Sequence, residues 1–287
     1  MGPKTILVPF ISEAASRSAL DAACIAAGMF GSHLDVLHLK PDARTMIPYV
    51  GEGMSGALVE DVIATAEREA GDRSIGARAL FASQLARHGL YEAQMPNGPG
   101  ASASWREETG REDEIVAIAG RTADLIAVSR PVTDPDGPPS TLFETALFET
   151  GQAILVAPPS PVPGFGKRIL VAWNGSQEAA GAVSAAMPFL LGAEQVSILA
   201  VSGWSDGMRS VEALARRLLW HGVGADVETM REFSGTIGEN VIATAVRREA
   251  DMIVMGAYTH GRLRQMILGG VTRHVLATAS IPLLMSH

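Results

Sequence analysis

The sequence predicts an α/β protein built from two tandem, doubly wound domains, each with a mostly parallel five-stranded sheet. Three observations lead to this fold class. The chain has 287 residues, whereas a single domain usually takes about 100–200. Similar segments occur twice along the chain, in the same order. Within each copy, short apolar runs alternate with helical segments, and this alternation favours a parallel sheet covered by helices on both faces.

Three pairs of matching segments define the internal repeat. The pairs are KTILVPF at 4–10 with KRILVAW at 167–173, ADLIAVSRP at 123–131 with ADMIVMGAY at 250–258, and QAILVAPP at 152–159 with SIPLLMSH at 280–287. Between the copies, APPSPVPGFGK at 157–167 is rich in proline and glycine. Because these residues end helices and central strands, we predict a linker there and domains at residues 1–160 and 161–287.

The second copy shows its elements clearly. The predicted strands are 167–173, 195–202, 225–232, 251–257 and 282–286, and the predicted helices are 176–191, 206–222, 237–250 and 271–279. Ser176 is a typical N-cap for the first of these helices. The residues expected on the buried face of the second helix are Val211, Leu214, Leu218 and Leu219. The first copy is longer, with its second helix predicted over about 55–88 and its third strand at 101–110.

Composition excludes several classes of protein. The net charge is −8 and the sequence pI is near 5.4, so nucleic acid and anionic lipid are not expected partners. There is no signal peptide pattern, and no apolar run reaches the roughly 18 residues of a membrane span. We therefore expect a cytoplasmic protein. The one cysteine, Cys24, lies among small apolar residues, which indicates a buried, inert thiol.

The segment MGAYTHGRLRQMILGGVTRHVL at 255–276 carries the candidate binding site. One glycine directly follows the apolar run that ends in Met255, and two precede a predicted helix, where backbone N–H groups form an anion site. The residues able to contact phosphate are Gly256, Gly269, Gly270, Thr272, Arg262 and Arg264. The spacings of a Walker A loop and of a dinucleotide-binding loop are both absent. The residues alone leave two interpretations open, a phosphate loop or a plain turn.

The repeated unit, and this segment above all, resembles the universal stress protein family, in particular its tandem members. The resemblance covers essentially the whole chain and is strongest over 167–287. It implies a flavodoxin-like or adenine-nucleotide-hydrolase-like α/β fold. It also implies a nucleotide site, because many members bind ATP or AMP through G-x2-G-x9-G-Ser/Thr after the fourth strand. Other members lack this motif and bind no nucleotide.

The family motif matches this chain only in part. Gly256 takes the first glycine position and Gly269 the third, but Thr259 stands at the second, and Gly270 stands where Ser or Thr is usual. If the loop is a weakened nucleotide site, glycine restored at 259 should tighten binding. If it is only a turn, the change should have no effect on binding.

The resemblance also names residues outside the motif. Gly261 and Thr272 lie close to the two missing motif elements, Asn174 corresponds to an acidic residue that contacts the nucleoside, and backbone near Val201 would face the base. Asn retains an acceptor for a ribose hydroxyl. The full expected site is Ala172, Asn174, Val201, Gly256, Thr259, Gly261, Arg262, Gly269, Gly270, Val271 and Thr272.

The first copy departs further from the motif. Ser129 stands at the first glycine position, Gly137 is isolated among prolines, and Asp134 and Asp136 would oppose phosphate. Ile11 lies close to where the second copy has its asparagine. We predict a degenerate site that binds no nucleotide in this half.

Other side chains support no second chemistry. His260 and His274 flank the loop without a metal-ligand cluster; the first is expected in the loop and the second on a helix surface. Trp173 has two interpretations, stacking on adenine or packing against the neighbouring domain. No nucleophile or acid–base pair is identifiable, so the prediction is a non-catalytic protein, at most a slow ATPase.

Two functional hypotheses follow. The first is a stress-response protein that holds ATP or AMP in its C-terminal domain, with Mg²⁺ accompanying ATP, and that signals or protects. The second is a tandem interaction module with no nucleotide, acting through protein partners. Family members commonly dimerise through the last strand. We therefore expect an internal pseudo-dimer with QAILVAPP and IPLLMSH as its edges, and a homodimer of whole chains is left open.

Overall fold

The computed structural model shows one mostly parallel sheet shared by both halves of the chain. The described residues are 2–40, 56–95, 98–132, 140–201, 205–230, 235–257 and 270–287, without the side chains of 56–64, 66–70, 72, 201 and 205–208. Within these ranges the sheet has eleven strands in the order β3-β4-β2-β1-β5-β6-β11-β10-β7-β8-β9. The predicted α/β class with a tandem arrangement is confirmed.

The N-terminal half contains six of the strands and four helices of the described chain. The strands are β1 Thr5–Phe10, β2 His33–Lys40, β3 Tyr91–Glu92, β4 Ser102–Thr109, β5 Leu125–Ser129 and β6 Ile154–Ala157. The helices are α1 Glu13–Phe30, α2 Gly56–His88, α3 Glu112–Gly120 and α4 Ser140–Phe148. The long second helix and the third main strand lie where the sequence predicts them. The additional two-residue strand β3 was not predicted, because a run this short carries no alternation pattern.

The C-terminal half repeats this order with five strands. They are β7 Arg168–Trp173, β8 Gln195–Val201, β9 Asp226–Met230, β10 Met252–Gly256 and β11 Leu283–Ser286. The helices are α5 Gln177–Gly192, α6 Ser205–Trp220, α7 Ile237–Arg247 and α8 Gly270–Thr278. Ser176 caps α5, as predicted, because its side chain accepts a hydrogen bond from the Ala179 N–H.

The two predicted sheets are joined into one by their last strands. Strand β6 pairs antiparallel with β11, with Val156 opposite Leu283 and Ile154 opposite Met285. A final strand left at a sheet edge would expose unpaired N–H and C=O groups. The antiparallel contact satisfies these groups in both halves, so the two five-stranded units predicted from the sequence form one continuous sheet.

An aspartate at the start of the fourth main strand explains part of the sequence repeat. In the N-terminal half the Asp124 carboxylate accepts hydrogen bonds from the backbone N–H groups of Lys4 at 2.7 Å and Thr5 at 2.9 Å. In the other half Asp251 accepts from Gly166 at 2.8 Å and Lys167 at 3.0 Å. Each carboxylate therefore fixes the first strand of its own half beside the fourth.

The helix that follows the second strand ends in the same way in both halves. Gly89 after α2 and Gly222 after α6 have φ angles of 70° and 81°, which favour glycine. One residue later, the Leu90 N–H donates to the Leu85 carbonyl and the Val223 N–H donates to the Leu218 carbonyl. These matched caps give the alignment of α2 with α6.

The core forms two apolar layers, one on each face of the sheet. One layer, with α1, α2, α5 and α6, includes Phe10, Phe81 and Phe165, and the other is covered by α3, α4, α7 and α8. On α6, Val211, Leu214 and Leu218 are buried as predicted. The prediction for Leu219 is wrong. Its side chain is 66% exposed, because it follows Leu218 by about 100° around the helix and therefore leaves the buried face.

Two further expectations concern Cys24 and membrane spans. Cys24 is buried, and burial, followed by the nearby Asp21 charge, raises the pKa of its thiol to about 12. The thiol therefore stays protonated and unreactive. Among the helices in the described ranges, none combines the length and the hydrophobicity that crossing a bilayer requires.

Candidate functional site

The candidate site lies at the carboxyl ends of the C-terminal strands. Ala172 and Met255 are paired in register near the ends of β7 and β10, and Val201 ends β8 opposite Met230. In parallel sheets this edge is the usual ligand position. The predicted site residues within the described chain are Ala172, Asn174, Val201, Gly256, Gly270, Val271 and Thr272. The predicted residues Thr259, Gly261, Arg262 and Gly269, together with His260 and Arg264, lie outside the described residues.

Gly256 is required by packing, whatever the site binds. A Cβ atom at this position would lie 2.5 Å from the Ala179 nitrogen and 2.8 Å from the Glu178 carbonyl carbon. Both contacts are backbone atoms in the first turn of α5, so neither can rotate away. A glycine here lets the helix approach the end of β10 closely. The family motif assigns Gly256 to phosphate, but the geometry gives it a structural role as well.

Gly270 differs from Gly256 because no other described residue crowds it. It is the first residue of α8, and within the described ranges no atom lies within 4 Å of a Cβ built on it. The first backbone N–H groups of a helix have no partner inside the helix and attract anions. The Val271 side chain is half-buried, and that of Thr272 is only 4% exposed. The backbone amides of its first turn are therefore the groups by which α8 would contact an anion, and a contact from the Thr272 hydroxyl stays a prediction.

Asn174 shapes the turn between β7 and α5. Its side-chain oxygen accepts a hydrogen bond from the Ser176 N–H at 3.1 Å, and Gly175 between them has a φ of 79°. An amide oxygen has a second lone pair, so the contact with a ribose hydroxyl stays a prediction. The structure adds that this acceptor also holds the turn in place.

Two aromatic residues flank the site. Trp173 is 7% exposed, and its indole N–H donates to the Ser210 hydroxyl on α6 at 2.9 Å. This polar contact lies inside its own half, and both interpretations of Trp173 stay predictions. His274 was expected on the surface of its helix, but it is half-buried, and its Cβ lies 2.8 Å from a Cβ built at Gly238 on α7. The small glycine allows the two helices to approach.

In the N-terminal half, Ser129 takes the place of Gly256. Its hydroxyl oxygen accepts a hydrogen bond from the Ser18 hydroxyl at 2.9 Å and one from the Ala19 N–H at 3.2 Å. The side chain is buried. The end of β5 is therefore joined to α1 through a side-chain hydroxyl. In the C-terminal half, by contrast, the backbone of β10 lies directly against the backbone of α5. Asp134, Asp136 and Gly137, the other predicted departures from the motif, lie outside the described residues.

Aromatic rings fill the space beyond the first two strands of the N-terminal half. Phe10 meets His38 with ring centroids 5.8 Å apart and Trp105 at 5.5 Å. Phe81 of α2 lies 5.3 Å from Trp105, and the Arg78 guanidinium carbon is 4.8 Å from the centre of the Phe81 ring. We call these residues the aromatic cluster. Sequence reasoning missed it, because its members come from three strands and a helix.

Polar groups close the outer side of this cluster. The Glu107 carboxylate contacts His38 Nδ1 at 3.2 Å, accepts from the Trp105 indole N–H at 3.2 Å, and forms an ion pair with Lys40. Burial lowers the pKa of His38, and Glu107 offsets only part of that effect. Burial alone would raise the pKa of Glu107, but the hydrogen bonds from Lys40, His38 and Trp105 lower it to about 2. The cluster therefore holds a neutral imidazole beside an ionised carboxylate near neutral pH.

Comparison with known proteins supports this architecture. Residues 166–287 match the model of the Universal stress protein family. This segment of the chain belongs to the universal stress protein family. The match begins beside β7 and ends with β11, so it covers the whole of the C-terminal repeat and its glycine-containing segment.

Solved structures extend the universal stress protein fold to the whole chain. A universal stress protein from Archaeoglobus fulgidus superposes with a TM-score of 0.67 at 16% identity, covering 98% of this chain and 97% of that one. A putative universal stress protein from Pseudomonas aeruginosa gives 0.56 at 18% identity, with 98% and 92% covered. At such identities the likeness establishes the fold. No curated protein matches the chain.

Metal ligands are a separate question. In the part of the chain that the structure describes, no three His, Cys, Asp or Glu side chains are grouped in a way that could hold a metal ion. A Mg²⁺ ion that accompanies ATP is usually held largely by phosphate oxygens and water.

Proposed function

We propose that the chain is a stress-response protein whose C-terminal half binds an adenine nucleotide, ATP or AMP, in a signalling or protective role. One observation carries the proposal. The helix α8 begins at Gly270, where no other residue of the described ranges lies within 4 Å of a Cβ atom. It follows the segment that starts at Gly256, in the half that matches the family model.

The proposed binding mode follows the order of the strands. The phosphates lie at the N-terminus of α8, where backbone N–H groups and the helix dipole favour an anion. The ribose lies beside Asn174 and the base beside the end of β8 at Val201, as the family resemblance implies. Thr259, Gly261, Arg262 and Gly269 complete the phosphate loop in this proposal. Mg²⁺ would bridge the phosphates of ATP and reduce their charge.

Position 270 offers a matched set of variants, because a Cβ there meets no atom of the described residues within 4 Å. Gly270→Asp places a carboxylate at a helix N-terminus, which suits the helix but repels phosphate. Gly270→Ser adds the hydroxyl that the family motif has at this position, and Gly270→Ala is the control for side-chain volume. Isothermal titration with ATP and AMP measures each affinity.

We expect Gly270→Asp to weaken binding by at least about tenfold. Gly270→Ser should tighten it about fivefold, the value of one added hydrogen bond, and Gly270→Ala should leave it unchanged. No heat and no rise in melting temperature at millimolar nucleotide would contradict the proposal. So would wild-type affinity in Gly270→Asp.

The alternative is an interaction module without nucleotide. It is favoured by Thr259 and Gly270, which replace two residues of the family motif. Mass spectrometry of the protein as purified separates the two functions. Adenine nucleotide that copurifies with the wild type and is absent from Gly270→Asp supports binding, whereas its absence from both supports the interaction module.

A further inference from the structure

The C-terminal end of α6 presents large apolar side chains to solvent. Trp220 is 86% exposed and the adjacent Leu219 is 66% exposed. Trp and Leu exposed singly are common on protein surfaces, but two in succession at the end of one helix leave a larger apolar area in water. The position of Trp220 in the repeat adds to this observation.

The matched caps of α2 and α6 align Trp220 with Arg87 of the N-terminal half. There Arg87 and His88 contact the buried Asp21 of α1 at 3.3 and 3.0 Å. This ion pair joins the two helices of that half.

The C-terminal half joins its helices differently. Ser184 of α5 accepts a hydrogen bond from Arg217 at 3.0 Å. The contact uses a residue three positions before Trp220, and the Trp220 side chain itself is 86% exposed. The N-terminal half thus has Arg87, which binds the buried Asp21, at the position where the C-terminal half has the exposed indole of Trp220.

Positive charge accompanies the exposed indole. Between residues 209 and 220, α6 has the basic residues Arg209, Arg216 and Arg217 and a single acidic residue, Glu212. Arg209 and Arg216 are exposed, and their spacing from Trp220 places all three on the same side of the helix. The exposed Glu212 lies on this side as well, so two arginines and one glutamate leave it with one net positive charge in a chain whose net charge is −8. A second copy or an anionic bilayer brings an extended like-charged surface near the whole chain and is repelled. A short acidic segment contacts only this side of α6, and charges more than about 10 Å away are screened by salt.

We propose that Arg209, Arg216, Leu219 and Trp220, the α6 face, form a docking surface for an acidic segment of another protein that carries an apolar anchor residue. Trp and Arg are the residues that most often dominate binding at protein interfaces. The indole and Leu219 bind the anchor, while the two guanidinium groups pair with carboxylates and set the orientation. The proposal is independent of nucleotide binding.

The test uses the full chain and a defined probe, a fluorescein-labelled random copolymer of Glu and Tyr, with binding followed by fluorescence anisotropy. We expect saturable binding that weakens as salt is raised. Trp220→Ser should weaken it about thirtyfold, as loss of a dominant interface residue does. Arg216→Glu should weaken it about tenfold and reduce its salt dependence. Leu191→Ser is the control, because Leu191 is 54% exposed on a different helix, α5, and it should change affinity less than about twofold.

Other outcomes overturn the proposal. Absence of copolymer binding, or equal weakening by Leu191→Ser, means that the α6 face is not a docking surface of this chemistry. Binding to phosphatidylserine vesicles without binding to the copolymer assigns it to a membrane. The affinity of Trp220→Ser for ATP is measured in parallel and should equal that of the wild type, so a failure here is distinct from a failure of the nucleotide site.

Discussion

In the N-terminal half, the row of residues near the carboxyl ends of the strands is Phe10, His38 and Glu107, paired in register across three strands. The C-terminal half places Trp173, Ala200 and Thr229 at the same register. One half thus fills the row with a ring, an imidazole and a carboxylate, and the other with one large indole and two small side chains.

The difference shows how one topology gives two different strand edges. The Trp173 indole reaches over Ala200 to Ser210, whereas Phe10 and His38 share the same space in the other half. The N-terminal half then adds Trp105, whose indole N–H is held by Glu107. This half fills its own crevice with side chains, while the other half retains the glycine-containing segment.

The largest expected effect tests the contact between strand and helix. Gly256→Ala should destabilise the protein by about 2–3 kcal/mol, because the added Cβ would overlap rigid backbone. Ser129→Ala in the N-terminal half should cost only about 1 kcal/mol, the value of its hydrogen bonds. Urea denaturation measures both. Equal losses of stability in the two variants would contradict the expectation, because both strand-to-helix contacts would then tolerate a changed side chain equally well.

The next effect tests the joint between helices. Asp21→Ala should lower the free energy of unfolding by about 2 kcal/mol, since it removes a buried acceptor of Arg87 and His88. Ser184→Ala, the matched change in the other half, should cost about 0.5 kcal/mol because that contact is exposed. Thermal unfolding of the two variants checks this difference. A larger loss of stability in Ser184→Ala than in Asp21→Ala would contradict it.

The smallest effect concerns acid sensitivity of the aromatic cluster. Because burial lowers the pKa of His38, the stability from the neutral imidazole is present above its usual pKa of about 6.5 and is lost as pH falls through the lowered value. His38→Phe should therefore show a smaller fall in melting temperature between about pH 7 and about pH 5 than the wild type. Ala200, its counterpart, offers the control Ala200→Ser, which should keep the wild-type pH dependence.

Glu107 provides a second pH range within the same cluster. Its pKa is lowered to about 2, so its contribution is present above its usual pKa and is lost only as pH falls towards that value. His38→Phe should leave this more acidic loss largely in place. A single transition removed entirely by His38→Phe would show that the two groups titrate as one unit.

Much of the fold could be predicted because its signals are local. The two copies, the long α2, the strand β4 and the Ser176 cap follow from periodicity and from capping residues that lie next to the elements they define. The prediction for Leu219 failed although it too rests on periodicity. A shift of one residue turns a side chain by about 100° around the helix, which is enough to move it from the core to solvent. The domain limits at 160 and 161 stay predictions.

The candidate site could be predicted only in part. The glycines of 255–276 are visible in sequence, and the resemblance gives them positions in a phosphate loop. Sequence could not show that Gly256 is needed by α5, because its neighbours Glu178 and Ala179 are more than seventy positions away. Nor could it show the aromatic cluster, whose members lie on separate strands and a helix.

The sequence by itself determined the repeat, the alternation of strands and helices, the family resemblance and the acidic charge, because each depends on residue types and their spacing along the chain. The tertiary structure alone decided three further points: that β6 and β11 join the halves into one sheet, that His38, Trp105 and Glu107 meet in one crevice, and that Trp220 faces solvent. These depend on strand order, register and helix rotation, which bring distant residues to within a few ångströms and are set by the packing of the whole chain.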